Sequence, residues 1–314
     1  MNLPSVSIII PTYKRPEFLL RALNSVLGQD YQNIKEIIIT DDGDYEESFI
    51  EKLKAEDSRI IYVKNTKYAK GPSGNKQNGL DIASGDFIAF MDDDDILKEN
   101  SISFLINKYK ETGETYGSIL CNCVRSDNGE LTGKHYGKDE ELSYLDFLCA
   151  RYSGEYFGIN KREFFEGIKI SDEFGGMEGL TWLKIWKGKK WKGIYVHKVL
   201  RIYEVFPGQF SNFYEKNAER TFQGYKSYLN AFGEDLKKNC PKRYAYINYL
   251  ASYFSLIKND RKQAFLFCLE GLKTLKLFIP GITILVLSIA PIPLSFLLFL
   301  KKFYSDKIKK KNFS

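Results

Sequence analysis

The chain is predicted to be an α/β protein: a mostly parallel sheet flanked by helices, then a helical extension and an apolar, membrane-associating segment. Three observations predict it. Short, uninterrupted apolar runs alternate with helical segments in the N-terminal part, as strands buried on both faces do. Acidic clusters directly follow the ends of two of those runs. A charge-free stretch at 277–300 leads into a lysine-rich tail.

The elements follow in order. Val6-Ser7-Ile8-Ile9-Ile10 reads as a buried strand. Pro16 suits the first turn of a helix; Leu19, Leu20, Leu23, Val26 and Leu27 repeat at helical spacing, and Gly28 fits its end. Glu36-Ile37-Ile38-Ile39-Thr40 is a second buried strand ending at Asp41-Asp42-Gly43, and a polar helix is expected at about 45–55. Arg59-Ile60-Ile61-Tyr62-Val63 is a third strand. The loop Gly71-Pro72-Ser73-Gly74 opens a helix expected to reach about Ser84. A fourth strand over 86–91 runs into Asp92-Asp93-Asp94-Asp95. Beyond it the spacing predicts a strand over 119–124, a short helix over 142–149 and an amphipathic helix over 180–187. Residues 214–276 read as helical, with a turn at Asn259-Asp260. Tyr246, Tyr249, Leu250, Tyr253 and Phe254 form one apolar stripe there, and Phe265, Cys268, Leu269 and Leu272 another, both expected as core.

Composition narrows the function classes. Lys and Arg exceed Asp and Glu by 46 to 40, a net of +6 over 314 residues. The tail after residue 300 holds six Lys and one Asp, so +5 of that net sits there. A nucleic-acid binder would carry its basic charge on the folded body, so no nucleic-acid partner is expected. Five scattered cysteines (121, 123, 149, 240 and 268) make no disulfide framework and no zinc spacing, and are expected as buried free thiols. No cationic segment precedes a long apolar one at the N-terminus, so no signal peptide is expected. His135 and His197 stand isolated in sequence and read as structural.

Four consecutive carboxylates repel one another, and backbone propensity gives no reason for them. At the end of a buried strand they suit a hard divalent cation, which prefers oxygen ligands; the alternative is a solvated acidic turn. In parallel sheets ligands bind beyond the carboxyl ends of the strands. Tyr13, Asp41, Asp42 and residues 92–95 all follow strand ends, so the fold would gather them on one rim.

The blocks Val6-Ser-Ile-Ile-Ile-Pro-Thr-Tyr13, Glu36-Ile-Ile-Ile-Thr-Asp-Asp-Gly43 and Gly79-Leu80…Ala83-Ser-Gly85…Phe90-Met-Asp-Asp-Asp-Asp95 occur in register. This order resembles the family 2 glycosyltransferases of the GT-A fold, of the bacterial surface-polysaccharide type, whose sheet is Rossmann-like. The likeness is strong over 5–110 and weaker to about 206. It implies a nucleotide-sugar donor at the rim, contacted by Pro11, Tyr13, Asp42, Lys76 and Asp92. Tyr13 would lie beside the base, Asp42 would accept a uracil N–H, and Asp92 would hold the ribose side. Asp94 and Asp95 would serve the metal, Mn²⁺ or Mg²⁺, and the diphosphate, either being the direct ligand. Asp93 falls on the family's variable position. Lys76 stands where the family often has Arg, and Gln77 where it has Asn. Asp42 and Tyr13 favour UDP over GDP or dTDP.

The family's base is commonly the Asp of a Glu-Asp pair, six residues before an Arg. Aligning Lys184 with that Arg puts Glu178 at the base position, within Phe174-Gly-Gly-Met-Glu-Gly-Leu-Thr-Trp-Leu-Lys184. Asp172 and Glu173 are alternatives, and a plain helix-start Glu, favoured by the helix dipole, is a further one. The family's attack inverts the anomeric carbon. The Gln-x-x-Arg-Trp motif of processive synthases is missing, which favours one sugar added per acceptor.

A straight helix over 277–300 would reach ~36 Å, enough to span a bilayer core. Pro291-Ile-Pro293 splits it into two short arms, and lysines flank both ends. Positive flanks favour the cytoplasmic side, so a monotopic or re-entrant anchor on the cytoplasmic face of a bacterial cell membrane is expected, with a single span as alternative. Beside a sugar-transfer site this suggests a lipid-linked saccharide acceptor. Rival readings are a polyprenyl-phosphate sugar transferase with the same donor site, and a non-catalytic nucleotide- or cation-binding module on the membrane surface. The expected organisation is a glycosyltransferase domain over 1–210 (nucleotide-sugar half 1–96, acceptor half 97–210), a helical extension over 211–276 and the membrane-associating segment over 277–314.

Overall fold

A computed structural model describes residues 3–188, 192–206 and 217–274. The expected anchor at 277–314 lies outside them. Among the described residues two compact units are present: residues 3–172 with 177–206, and residues 173–176 with 217–274.

In the first unit the strands are β1 (Val6–Thr12), β2 (Ile34–Asp41), β3 (Ile60–Lys64), β4 (Phe87–Phe90), β5 (Ile96–Leu97), β6 (Ser118–Arg125), β7 (Glu140–Leu142), β8 (Tyr156–Lys161) and β9 (Gly193–Tyr203). They form one sheet in the order β3-β2-β1-β4-β8-β6-β9-β5, with β7 paired to β9. The four N-terminal strands are parallel, as their continuous apolar runs require. The later strands are mixed, because β8 runs antiparallel to both β4 and β6. Side-chain alternation divides the core in two. Ile8, Ile10, Ile37 and Ile39 enter one cluster, and Ile9, Ile38 and Ile88 enter the other.

The helices are α1 (Pro16–Leu27), α2 (Glu47–Glu56), α3 (Pro72–Leu80), α4 (Ser101–Glu111), α5 (Tyr144–Leu148) and α6 (Glu178–Gly188). Helix α3 ends before the expected Ser84. Gly85 has to pass against β1, where a Cβ would lie 2.7 Å from the Ser7 nitrogen. The expected helix over 142–149 is shorter and follows β7. Ser143 and Asp146 close a capping box at its start.

Two backbone features open the site. Strand β1 pairs with β4 only as far as Ile9↔Phe90, but with β2 as far as Thr12↔Asp41. The chain after β4 therefore leaves the β1 ladder and meets the end of β1 through side chains, Thr12 donating to Asp93 at 2.7 Å. Pro11, which has no N–H, lies where the β4 ladder has ended. Helix α3 is polar yet buried, with Ser73, Asn75, Lys76, Gln77, Asn78 and Gly79 all covered. It packs close to β1 because Gly79 has no side chain. Gly79→Ala would put Cβ 2.5 Å from Ile9 Cγ2, and overpacking of this kind costs ~1–3 kcal/mol. Urea unfolding should show that loss; an unchanged midpoint would mean α3 lifts from β1 freely.

In the second unit the segment read as helical with one turn is α7 (Ala218–Asn239), α8 (Pro241–Ile257) and α9 (Arg261–Thr274). Pro241 cannot continue α7 and starts α8 instead. The expected turn at Asn259-Asp260 is present; Asn259 has φ +62°. The stripes are core only in part. Tyr249, Phe254 and Cys268 are buried, whereas Tyr246 is 48% exposed and Leu269 36%. The buried face of α8 runs instead through Ala245, Asn248, Ala251, Ser252 and Ser255. Cys121, Cys123 and Cys268 are buried free thiols, but Cys149 and Cys240 are disulfide-bonded, which corrects the expectation for those two.

Candidate active site

The residues named from sequence do gather at the C-terminal ends of β1, β2 and β4. Asp42 is buried and has two local donors: Asn65 Nδ2 gives a 2.7 Å hydrogen bond to Oδ1, and the Gly71 N–H a 2.6 Å bond to Oδ2. Asp41 serves the fold. It accepts from the Gly43 N–H at 2.7 Å and from the Tyr62 hydroxyl at 2.7 Å. Tyr13 is 51% exposed, so its ring is available to a ligand, and the Lys14 ammonium lies 5.5 Å from its centroid.

Each aspartate of the run has a basic partner, and the partners come from the loop after β1, from α3 and from β9. Asp92 Oδ1 lies 3.1 Å from Lys76 Nζ on α3. Asp93 accepts from the Thr12 hydroxyl at 2.7 Å and from the Arg15 guanidinium, and only 1% of its side chain is exposed. Asp94 Oδ2 takes the other arm of Arg15 at 2.8 Å. Asp95, also 1% exposed, accepts from the Glu204 N–H at 3.0 Å and lies 3.2 Å from Arg201 NH1 on β9. Arg201 further reaches Asp92 at 3.8 Å, Glu155 at 3.5 Å and Cys123 Sγ at 3.1 Å.

The electrostatics follow from burial and from these pairs. Burial pushes Asp93 up to about 7 against the pull of Arg15, and Asp95 up to about 7 against Arg201. Asp94 is raised by burial and by the Asp92 charge. Asp92 is the exception: burial would raise it, but Lys76 and Arg201 hold it below the usual carboxylate range. The Lys76 ammonium would be lowered by burial, yet Asp92 and Glu178 hold it above its ordinary value.

Glu178 opens α6, and its Oε2 accepts a 2.8 Å hydrogen bond from Lys76 Nζ. Lys76 thus brings Asp92 and Glu178 to one point. Gln77, in the position next to it, accepts the Ile170 N–H at 2.6 Å and ties the segment leading to α6 onto α3. Asp172 and Glu173 are exposed. Sequence reasoning missed Arg15, Arg201 and Glu155. An Arg three residues after a strand, or within one, carries no local signal of its partner. His135 and His197 are also not isolated in space. Their rings lie 5.1 Å apart, and His197 Nδ1 is 2.8 Å from the Tyr195 hydroxyl.

Hard divalent ions take one or two carboxylates and complete their shell with substrate phosphates. The donor set suits that pattern. Asp94 is 15% exposed at the rim, and Asp95 Oδ2 is a buried oxygen without a hydrogen bond, 3.2 Å from Arg201 NH1. Among the described residues, no group of three or more His, Cys, Asp or Glu side chains forms a cage of protein ligands alone.

Comparison with known proteins identifies the family. The sequence profile described as "Glycosyl transferase family 2" matches residues 7–175. A Campylobacter jejuni protein named GalNAc(5)-diNAcBac-PP-undecaprenol beta-1,3-glucosyltransferase is 36% identical over 301 residues, 92% of this chain and 94% of that protein. The Escherichia coli UDP-Glc:alpha-D-GlcNAc-diphosphoundecaprenol beta-1,3-glucosyltransferase WfgD is 34% identical over 217 residues, covering 54% and 85%. The crystal structure of S. aureus TarS 1-349 in complex with UDP-GlcNAc superposes with a TM-score of 0.62 at 15% identity, over 86% of this chain and 81% of that one, and shares its fold. With the strand-end carboxylates, the profile match and a relative similar over nearly its whole length, this chain belongs to glycosyl transferase family 2 and is a glycosyltransferase.

Proposed function

We propose that the chain transfers one sugar at a time, with inversion, from a UDP-sugar to a saccharide carried on a polyprenyl diphosphate lipid. The observation that carries this is the meeting of Asp92 and Glu178 at Lys76, 3.1 and 2.8 Å from its ammonium. It supports the reading by bringing to one ammonium the two carboxylates taken here as the donor-side ligand and the base. The names of the Campylobacter and E. coli relatives support the acceptor class and, for the second, UDP-glucose.

In this reading Pro11 and Tyr13 line the nucleoside side, and the exposed Tyr13 ring stacks on the base. Asp42 retains lone pairs beyond those given to Asn65 and Gly71 and accepts the uracil N–H. Asp92 holds the ribose side, and Lys76 faces the donor beside it. Asp94, the more exposed of the pair, would hold the metal, while Asp95 holds Arg201 in place. Mn²⁺ or Mg²⁺ bound there would supply Lewis-acid stabilisation of the leaving diphosphate. Glu178 accepts the proton of the acceptor hydroxyl as that oxygen bonds to the anomeric carbon. The bond from that carbon to the diphosphate breaks, and its electron pair leaves with UDP.

Release of free nucleotide from UDP-, GDP- and dTDP-sugars tests the reading. It is run with membrane lipid extract as acceptor source, in Mn²⁺, Mg²⁺ or chelator. Release from one UDP-sugar, dependent on lipid and about 10²-fold lower in Asp94→Asn, is expected. Silence with every donor in the presence of lipid would refute it.

We also propose the domain boundaries given above and a monotopic anchor at 277–314 on the cytoplasmic face, its lysines on anionic headgroups at ~1 kcal/mol each. No helix among the described residues is long and apolar enough to cross a membrane. Protease added to sealed inside-out vesicles should cut the tail; protection would favour a single span.

A further inference from the structure

Glu178 is the first residue of α6. Among the described residues, Lys76 is the hydrogen-bond partner of its carboxylate. A free Glu side chain gives up as much as ~2 kcal/mol of rotamer entropy on ordering, so a base needs something to orient it. Lys76 is itself firmly set. The side chain is 10% exposed, and its neighbours on α3 are tied down. Asn75 donates to the Thr12 carbonyl at 3.0 Å and accepts from the Thr40 hydroxyl at 2.7 Å. Gln77 holds the Ile170 N–H at 2.6 Å, and Asn78 donates to the Thr40 hydroxyl at 2.9 Å. Gly79 presses the helix on β1. One buried ammonium on a fixed helix is therefore shared between the donor-side Asp92 and the acceptor-side Glu178.

We infer that Lys76 is a positioning residue for Glu178, fixing the base relative to the donor-side carboxylate through this shared ammonium. The inference rests on the reading of Glu178 as the base. It differs from a role in donor binding alone, which would act equally whether or not Glu178 can take a proton.

A double-mutant cycle separates the two. Full-length wild type, Lys76→Met, Glu178→Gln and the double variant are compared for kcat, using the donor found active and a synthetic polyprenyl-diphosphate-linked N-acetylhexosamine. UDP affinity is measured by calorimetry on each. Lys76→Met should lower kcat about 30-fold with Glu178 present and less than about twofold in the Glu178→Gln background. Any change in UDP affinity should be the same in both backgrounds, and Lys76→Arg should recover most of kcat. If Lys76→Met does not fold, Lys76→Gln passes through the same cycle. Equal losses of kcat in both backgrounds, with Glu178→Gln itself impaired, overturn the inference alone. Full activity of Glu178→Gln overturns the base reading and the inference with it.

Discussion

Replacing Glu178 by Gln should lower sugar transfer about 10²–10⁴-fold and leave UDP affinity within about threefold of wild type. The amide keeps the size of the side chain and can still face Lys76, but it cannot take the acceptor's proton. The loss should therefore fall on kcat, because an interaction used only in the transition state has been removed. The geometry sharpens this expectation. Glu178 Oε2 already accepts from Lys76 at 2.8 Å, so an amide oxygen has a partner waiting and the fold is undisturbed. Calorimetry with UDP and a radiolabelled transfer assay read the two quantities independently. Transfer at the wild-type rate would end the assignment, and the exposed Asp172 and Glu173 would have to be tested in its place.

Arg201→Met should destabilise the first compact unit by ~3–5 kcal/mol, the range for breaking a buried ion pair by removing one partner. The guanidinium is 4% exposed and reaches Asp95, Asp92 and Glu155 at 3.2, 3.8 and 3.5 Å. Methionine fills much of the same volume, so the cost is electrical. It leaves Asp95 buried with one oxygen already lacking a hydrogen bond, and Asp92 with Lys76 alone. A fall in Tm of roughly 10 °C is expected. Arg201→Lys should recover only part of it, since a point charge cannot span the same set of acceptors. A Tm within about 2 °C of wild type would show that the carboxylates re-pair or protonate without strain.

The two predictions differ in how visible their residues were. Glu178 could be found from sequence because a resemblance placed it in a motif, and the Asp run could be found because repulsive chemistry at a strand end has few bland explanations. Arg201 could not. It lies inside an ordinary β9 pattern, and its partner Asp95 is 106 positions away by their residue numbers. Arg15 was passed over for a similar reason, since the loop after β1 does not show which acids it will meet. Helix α3 was legible as a helix but not in its burial: the protein covers its polar side chains and carries Asn75, Lys76 and Gln77 to three separate tasks.

Local chemistry by itself determined the parallel half of the sheet and the gathering of Asp41, Asp42 and the aspartates at 92–95 beyond its strand ends. Continuous apolar runs must be buried on both faces, and strand ends must open to one side. Tertiary structure alone decided the pairing of charges: Arg15 with Asp93 and Asp94, Lys76 between Asp92 and Glu178, Arg201 under Asp95. It also decided that β8 would run antiparallel, that the helical segment would break at Pro241 as well as at the expected turn, and that two cysteines would not remain free. The physical reason is range. Hydrophobic period and turn chemistry act between near neighbours and are written along the chain, while a salt bridge depends on distance in space, which only the completed fold specifies.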